Sequence, residues 1–486
     1  MTPLMKQKGE STKRPNLVFI FPDQLSFRAM SVYGNDVIRT PSMQRLADEG
    51  VVFENCYCNA PLCGPARFAT YTGLMPFAQA NWANPNCAVF PFLDYMGDYF
   101  HAIGYRTGSI GKLHGAPEDA DFGFEYCRIC EGFGGNPWND YGRWLRERLD
   151  SRSDAAALRE KIDAGPIREP FLPRELSEET WIVERVHDFL AGDDGARPFL
   201  LNLGFQHPHP AWETLPNENE IYARDAVPLP PNLESRTPII EACRAAGSYL
   251  DGGTLDQADR TPAAWRDLTA QYYAVVTQVD TAIGQVMDLL QRHGHGNDTI
   301  IMLCSDHGEL MGSYGLVQKG YFYEDAAHLP LIVRGPGVPA GERRAQLCDQ
   351  TDLLPTLLDL AGAAVPPVLE GTSLAPAIRN ADAPSKPFVH GWLELCGRLH
   401  QMTRGRRYKL MHFGGLPQSL PEDLPERFEC YDLEADPFEM HDLGPDAGAD
   451  ELDELKQAYC DYFLSRAGKR GCWSRARTRL LGAGRD

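Results

Sequence analysis

The stretch Cys63-Gly64-Pro65-Ala66-Arg67-Phe68-Ala69-Thr70-Tyr71-Thr72-Gly73 decides the fold reading. Val51–Tyr57 before it is a short apolar run that reads as a buried strand. A loop follows, and the residues from Cys63 onward can start a helix. Strand, loop and helix N-terminus in succession are the unit of an α/β fold. Working outward, the same unit recurs. Leu17–Phe21 reads as a strand ending at Pro22-Asp23-Gln24, and Pro41–Glu49 as a helix closed by Gly50. Phe92–Ile103 reads as a helix ended by Gly104, and Thr107–Ile110 as a strand before Gly111-Lys112. Phe199–Phe205 is a strand running into Gln206-His207-Pro208-His209-Pro210. Ala263–Leu290 has a long helical pattern, followed by strand Thr299–Cys304 and then Ser305-Asp306-His307-Gly308. Clusters of Asp, His and Lys thus fall at the C-terminal ends of the strands, the edge where open α/β sheets bind ligands.

Residues 135–175 carry mixed charge and little periodicity, and Glu213–Asp259 is rich in Pro, Asn and Gly. Both read as loops over that edge. After a helix at Asp352–Ala361 the character changes. Phe388–Cys396, Gly397–Thr403 and Tyr408–Phe413 look like antiparallel strands, and Glu451–Ser465 like a last helix. The expected architecture is α/β: a mixed, mostly parallel sheet between helices over residues 1–380, and a smaller α+β domain with a basic tail over 381–486.

The chain has 486 residues, with 67 acidic against 47 basic side chains and a formal net charge of −20. A nucleic-acid partner, which would want a broad basic face, is not expected. The same balance favours a small substrate over a long polyanion, with Trp82 or Trp212 available to line its pocket. The N-terminal segment has no apolar core of a secretory signal, and the run Leu17–Phe21 is far too short to span a bilayer. No membrane association is expected. Thirteen cysteines then read as reduced thiols in a cytoplasm. Cys127 and Cys130 form a lone CxxC without a second pair, which does not make a zinc site.

A lone cysteine is usually a small buried hydrophobe. Cys63 differs in standing at a helix start, where free N–H groups and the positive dipole end suit an anionic ester. Arg67, one turn on, adds a cation with fork geometry for oxyanions. Asp23-Gln24 and Asp306-His307 each follow an apolar strand directly. Read singly they are turns or caps; together they could converge on a hard or borderline cation. Lys112 and His114, two apart, would share a face and could hold an anion and move a proton; in isolation they are an ordinary polar loop. Prolines around His207 and His209 fix the backbone there.

The sequence resembles the sulfatase family of the alkaline-phosphatase-like superfamily. The family signature is C-x-P/A-x-R followed by Thr-Gly, and residues 63–73 match it throughout. The resemblance implies that Cys63 becomes formylglycine, made by a separate maturation enzyme. One oxygen of its hydrated aldehyde would attack sulfur and expel the alcohol, and the other would then eliminate sulfate. It also implies one divalent metal held by Asp23, Gln24, Asp306, His307 and the modified Cys63. Lys112 becomes a sulfate contact, His114 the partner of the formylglycine hydroxyls, and His209 a contact to sulfate or the leaving group. Lys319 would neutralise charge on the ester, while Asn84 and His207 would lie on the substrate side. Asp352–Thr356, Tyr431–Leu433 and Asp436-Pro437 look like further family landmarks.

Many family members have Asp-Asp first and Asp-Asn later. Asp-Gln and Asp-His look more like choline sulfatases and phosphonate monoester hydrolases. Calcium is the family's usual metal, and imidazole also suits manganese or zinc. The expected reaction is hydrolysis of a small-molecule or saccharide sulfate ester. Two rivals remain: a phosphonate monoester or phosphodiester hydrolase using the same site, and a non-catalytic binder in which Cys63 stays a thiol. Homo-oligomerisation is left open.

Overall fold

In the computed structural model, β1 (Asn16–Ile20) is the middle of an eight-stranded sheet and is buried along its whole length. The structure describes residues 14–78, 81, 83–84, 87–132, 138–163, 172–210, 222–245, 261–395, 398–415, 427–444, 448 and 450–464. Strand side chains alternate between faces, so Val18 and Ile20 enter one apolar cluster while Leu17, Phe19 and Phe21 enter the other. Burial on both faces explains why β1 reads as a continuous apolar run.

The remaining strands are β2 (Gly50–Tyr57), β3 (Arg106–Gly111), β4 (Tyr126–Ile129), β5 (Phe199–Gly204), β6 (Thr299–Cys304), β7 (His328–Arg334) and β8 (Glu342–Asp349). Their order is β4-β3-β5-β1-β6-β7-β2-β8. Only β7 runs against its neighbours, antiparallel to both β6 and β2; every other pairing is parallel. The sheet is therefore mixed and mostly parallel, as expected.

Helices cover both faces. On one lie α1 (Pro41–Asp48), α4 (Asp140–Leu149), α5 (Ala155–Asp163), α6 (Glu178–Ala191) and α8 (Pro262–Arg292). On the other lie α2 (Cys63–Thr72), α3 (Met96–Ala102), α10 (Leu353–Leu360) and α11 (Ala375–Arg379). Two more, α7 (Pro238–Ala245) and α9 (Glu324–Ala327), pack where the large sheet meets the smaller one. Among the described residues, no helix is long and apolar enough to cross a membrane.

Residues 135–175, expected as loop, contain α4 and α5. Tyr141, Trp144, Leu145 and Leu149 bury one face of α4, a helical stripe hidden by the charges between them. The helix expected from Phe92 begins only at Met96, where Asp98 accepts the N–H of Tyr95 at 2.9 Å and closes the first turn. Trp82, Trp212 and the basic tail from Arg466 lie outside the described residues.

A second sheet, β9 (Val389–Leu395), β10 (Arg398–Arg404), β11 (Tyr408–Gly415) and β12 (Arg427–Asp432), is antiparallel throughout. Its inner face joins the apolar cluster beside the large sheet, with Met402, Met411 and Tyr431 among Tyr57, Leu310 and Tyr323. Its outer face is covered by α12 (Asp450–Tyr459) through Leu452, Leu455 and Tyr459.

Candidate active site

Four adjacent strands, in the order β3-β5-β1-β6, deliver the site from their C-terminal ends. β1 runs into Asp23, β6 into Asp306 and His307, β3 into Lys112, and β5 into His207 and His209. Asp23 is fixed where its N–H donates to Phe205 O at 3.0 Å. Gln24 adopts φ +69°, and its N–H donates to Asp306 Oδ1 at 2.9 Å, tying the β1 and β6 ends together.

Cys63 is the first residue of α2. The neighbouring N–H of Gly64 donates to Asn84 Oδ1 at 3.0 Å, so a residue twenty positions on caps this helix. At the far end Gly73, with φ +65°, stops it, which is the conformation a glycine there supplies most cheaply. Cys63 Sγ lies 3.1 Å from His307 Nε2 and 3.6 Å from Asp23 Oδ1. One ligand-type atom from each of Asp23, Cys63, Asp306 and His307 falls within 4.8 Å of the others, and all four residues are buried.

Cations surround this group. Arg67 is fully buried, with Nε 2.9 Å from Asp306 Oδ2, Nη2 3.7 Å from Asp23 Oδ2 and Nη1 donating to Lys112 O at 3.0 Å. Lys112 Nζ is 2.5 Å from Asp23 Oδ2. Lys319 Nζ donates to Gln24 Oε1 at 2.5 Å, so a metal at this amide would share its oxygen with that ammonium. His114 borders the group, its N–H donating to Glu131 Oε2 at 2.9 Å and its Nδ1 lying 3.4 Å from the other oxygen. His209 Nδ1 contacts Pro210 O. His207 pairs with Glu179 through Nδ1 at 2.6 Å and so is held from the side of α6.

These contacts set the charge states. Burial opposes ionisation of Asp23, yet Lys112, His209, Arg67 and His307 together hold its carboxyl well below the usual range. Burial also works against the Lys112 ammonium, but Asp23, Cys63 and Glu131 together outweigh it and raise that pKa. Burial lowers His307, His114 and His209, keeping the imidazoles neutral. Burial, then Asp23, push the Cys63 thiol up to about 12. In His307, Nδ1 lies 3.0 Å from Gly308 O. A proton on Nδ1 bonded to that carbonyl leaves the Nε2 lone pair facing Cys63, the arrangement of a metal-ligating histidine. Two carboxylates, a neutral imidazole and a cysteine side chain, all of them buried, fit a divalent cation.

A sulfatase family model matches residues 15–363. The chain belongs to the sulfatase family. A second model, described as the C-terminal part of N-sulphoglucosamine sulphohydrolase, matches residues 312–460. An arylsulfatase of Clostridium perfringens is 26% identical over 88% of this sulfatase and 90% of its own length. An N-acetylglucosamine-6-O-sulfatase of Bacteroides thetaiotaomicron is 28% identical over 89% of the chain and 83% of its own. In fold the chain is also similar to the phosphonate monoester hydrolase of Agrobacterium radiobacter, with a TM-score of 0.77 at 23% identity, covering 93% of this chain and 96% of that one.

The contacts above bring together Asp23, Gln24, Cys63, Arg67, Asn84, Lys112, His114, Asp306, His307 and Lys319, and His207 and His209 follow the neighbouring β5. Four carboxylates were missed. Glu131 faces Lys112 and His114, Glu178 takes the N–H of Gln206, Glu179 holds His207, and Glu309 takes the carboxamide N–H of Gln24. Glu309 stands only two residues past His307, so proximity to the motif was a usable signal for it. Nothing in the sequence ties Glu178 or Glu179, in the first turn of α6, to the site. Cys127 and Cys130, on and after β4, carry free thiols.

Proposed function

We propose that this chain hydrolyses sulfate monoesters with a nucleophile made by oxidising Cys63 to formylglycine, beside one divalent metal ion, calcium in the first instance and manganese or zinc as alternatives. Sulfate ester hydrolysis itself follows from the family. The observation that supports the nucleophile is the placement of Cys63: at a helix start, 3.1 Å from His307 Nε2, with a thiol held protonated to about pH 12. A protonated thiol is a poor nucleophile, so the position suits a modified residue better than a thiolate.

Asp23, Asp306 and His307, with Gln24 and the modified Cys63, would hold the metal. Formylglycine supplies a hydrated aldehyde as attacking group, and the metal supplies Lewis acidity to the ester oxygens. The remaining work falls to ordinary side chains. Arg67 is anchored to Asp306 and Asp23 and fixes the geometry of the cluster. Lys112 and Lys319 place two ammonium groups where a sulfate enters, and stabilise charge as it moves onto the leaving oxygen. His114 and His209, kept neutral by burial, are each able to accept a proton. His114 serves the hydroxyls on residue 63, and His209 serves the sulfate or the departing group. Asn84 caps the nucleophile's helix, and His207 braces the His209 turn.

The substrate we propose is a small or saccharide sulfate ester, supported by the family and by the acetylglucosamine sulfatase among its relatives. A formylglycine-generating enzyme would be the maturation partner, and the ten cysteines whose side chains are described, all free thiols, suit a reducing cytoplasm. The Gln24 and His307 pair favours one competing reading, a phosphonate monoester hydrolase. Turnover of an aryl sulfate, choline sulfate, a glucosamine 6-sulfate and an aryl phosphonate monoester decides between them; faster phosphonate turnover overturns the sulfate reading. Mass spectrometry of the Cys63 peptide from the native host tests the nucleophile, and a persisting thiol there means a binder rather than this enzyme.

A further inference from the structure

Glu309 has no part in the roles above, yet it is 1% exposed and sits directly behind Gln24. Its two oxygens do different work. Oε1 accepts the backbone N–H groups of Met311 at 3.0 Å and Gln318 at 2.5 Å. Those residues have φ of +40° and +72°, a region that side chains beyond glycine occupy at a cost. The two bonds thus hold the turn that leads to Lys319. Oε2 accepts the carboxamide N–H of Gln24.

A carboxamide has a donor end and an acceptor end of nearly the same shape, and either way round fills the same space. An ionised carboxylate only accepts. Against Glu309, the Gln24 amide has one satisfactory orientation, with its NH2 toward the carboxylate and its oxygen turned away. Lys319 Nζ donates to that oxygen at 2.5 Å, while the Gln24 N–H is held by Asp306 Oδ1. We infer that Glu309 is a positioning residue whose carboxylate sets which end of the Gln24 amide faces the metal ligands Asp306 and His307, and that it joins this choice to the placement of Lys319. The inference rests on the reading of Gln24 as a metal ligand.

Substitution can reverse the polarity of the pair. In Glu309→Gln, the new amide oxygen is drawn to the two backbone N–H groups, which leaves its NH2 against the NH2 of Gln24. Gln24 must then flip, which turns its oxygen out of the cluster, or lose its partner and with it the fixed orientation of that oxygen. Glu309→Asp keeps the charge and shortens the reach. Exchanging the two groups, as Gln24→Glu with Glu309→Gln, restores a carboxylate–amide pair of the same net charge with an oxygen facing inward.

The test is calorimetric titration of the chelator-stripped full chain with calcium and with manganese, each variant first checked for a cooperative unfolding transition. Both single Glu309 variants should raise the metal Kd roughly 10- to 100-fold, the usual cost of losing a group that orients a ligand. The exchanged pair should recover most of that loss, which simple damage to the fold would not allow. If Glu309→Gln does not fold, Glu309→Asp carries the measurement. Gln24→Ala separates the two readings. An unchanged Kd there removes Gln24 as a ligand, and this inference with it. A raised Kd for Gln24→Ala, beside wild-type values for the Glu309 variants or no recovery in the exchanged pair, overturns this inference alone.

Discussion

A Cβ built on Gly64 would stand 1.8 Å from Cys87 Sγ. The second residue of α2 is therefore glycine because another chain segment presses on the helix start that carries Cys63. Gly64→Ala should destabilise the protein by roughly 1–3 kcal/mol, the range for overpacking a filled site. Cys87→Ala removes the offending sulfur and leaves its Cβ at 3.4 Å, so the double variant should regain most of the loss. Urea unfolding of the four proteins gives the coupling energy; additive effects would show that the contact is not the cause.

Arg67 and Asp306 form an ion pair with both side chains fully buried. Removing one partner of such a pair leaves an uncompensated buried charge, at a cost of roughly 3–5 kcal/mol. Arg67→Ala should lose about that much by denaturant unfolding. Arg67→Lys should lose less stability but still impair turnover, because an ammonium cannot reach Asp306, Asp23 and Lys112 O in the guanidinium's planar geometry. A surface-like loss below about 1 kcal/mol for Arg67→Ala would contradict the burial argument.

Much of the frame was legible where one physical signal dominated. Strand β6 has the bounds expected from the sequence, because six apolar or β-branched residues are flanked by Asp298 and Ser305. Strand β8, Glu-Arg-Arg-Ala-Gln-Leu-Cys-Asp, was invisible to the same reasoning. It lies at the sheet edge, and Arg344 is buried there because, besides Glu342 and the Arg343 carbonyl, its guanidinium finds a tertiary partner in the carbonyls of Ala377 and Ile378. That partner is a tertiary fact. The site divides likewise. Cys63, Asp23, Asp306 and His307 belong to local motifs at strand or helix ends, whereas Glu131 and Glu179 look like any surface carboxylate until the fold buries them against Lys112 and His207.

Glu178 supplies a pH prediction. Burial pushes its carboxyl up to about 8, against the opposing pull of His207. Its folded pKa is thus above the unfolded value near 4.3. The stability it contributes is full below the unfolded pKa and is lost as pH rises through the folded one. Unfolding free energy should therefore fall between roughly pH 5 and about pH 8. Glu178→Gln, which keeps an acceptor for the Gln206 N–H, should flatten that decline. Urea midpoints across this window check it, and an unchanged slope assigns the pH dependence to another group.

The cysteine itself can be separated from its surroundings. Cys63 Sγ contacts His307 Nε2 at 3.1 Å and Asp23 Oδ1 at 3.6 Å, while the helix it opens is capped by Asn84. Cys63→Ala should accordingly fold with a loss of about 1 kcal/mol, in line with removing one small buried group. It should retain metal binding through Asp23, Asp306 and His307, so that saturating metal still raises its unfolding free energy, by about 2.7 kcal/mol at a hundredfold excess over Kd. Turnover should nonetheless drop at least about 10³-fold, as when a covalent nucleophile is removed. Intact folding and metal binding with lost turnover would isolate residue 63 as the reacting group. Turnover within about tenfold of wild type, a difference of only about 1.4 kcal/mol in barrier, would instead mean that the metal and its cations perform the hydrolysis without it.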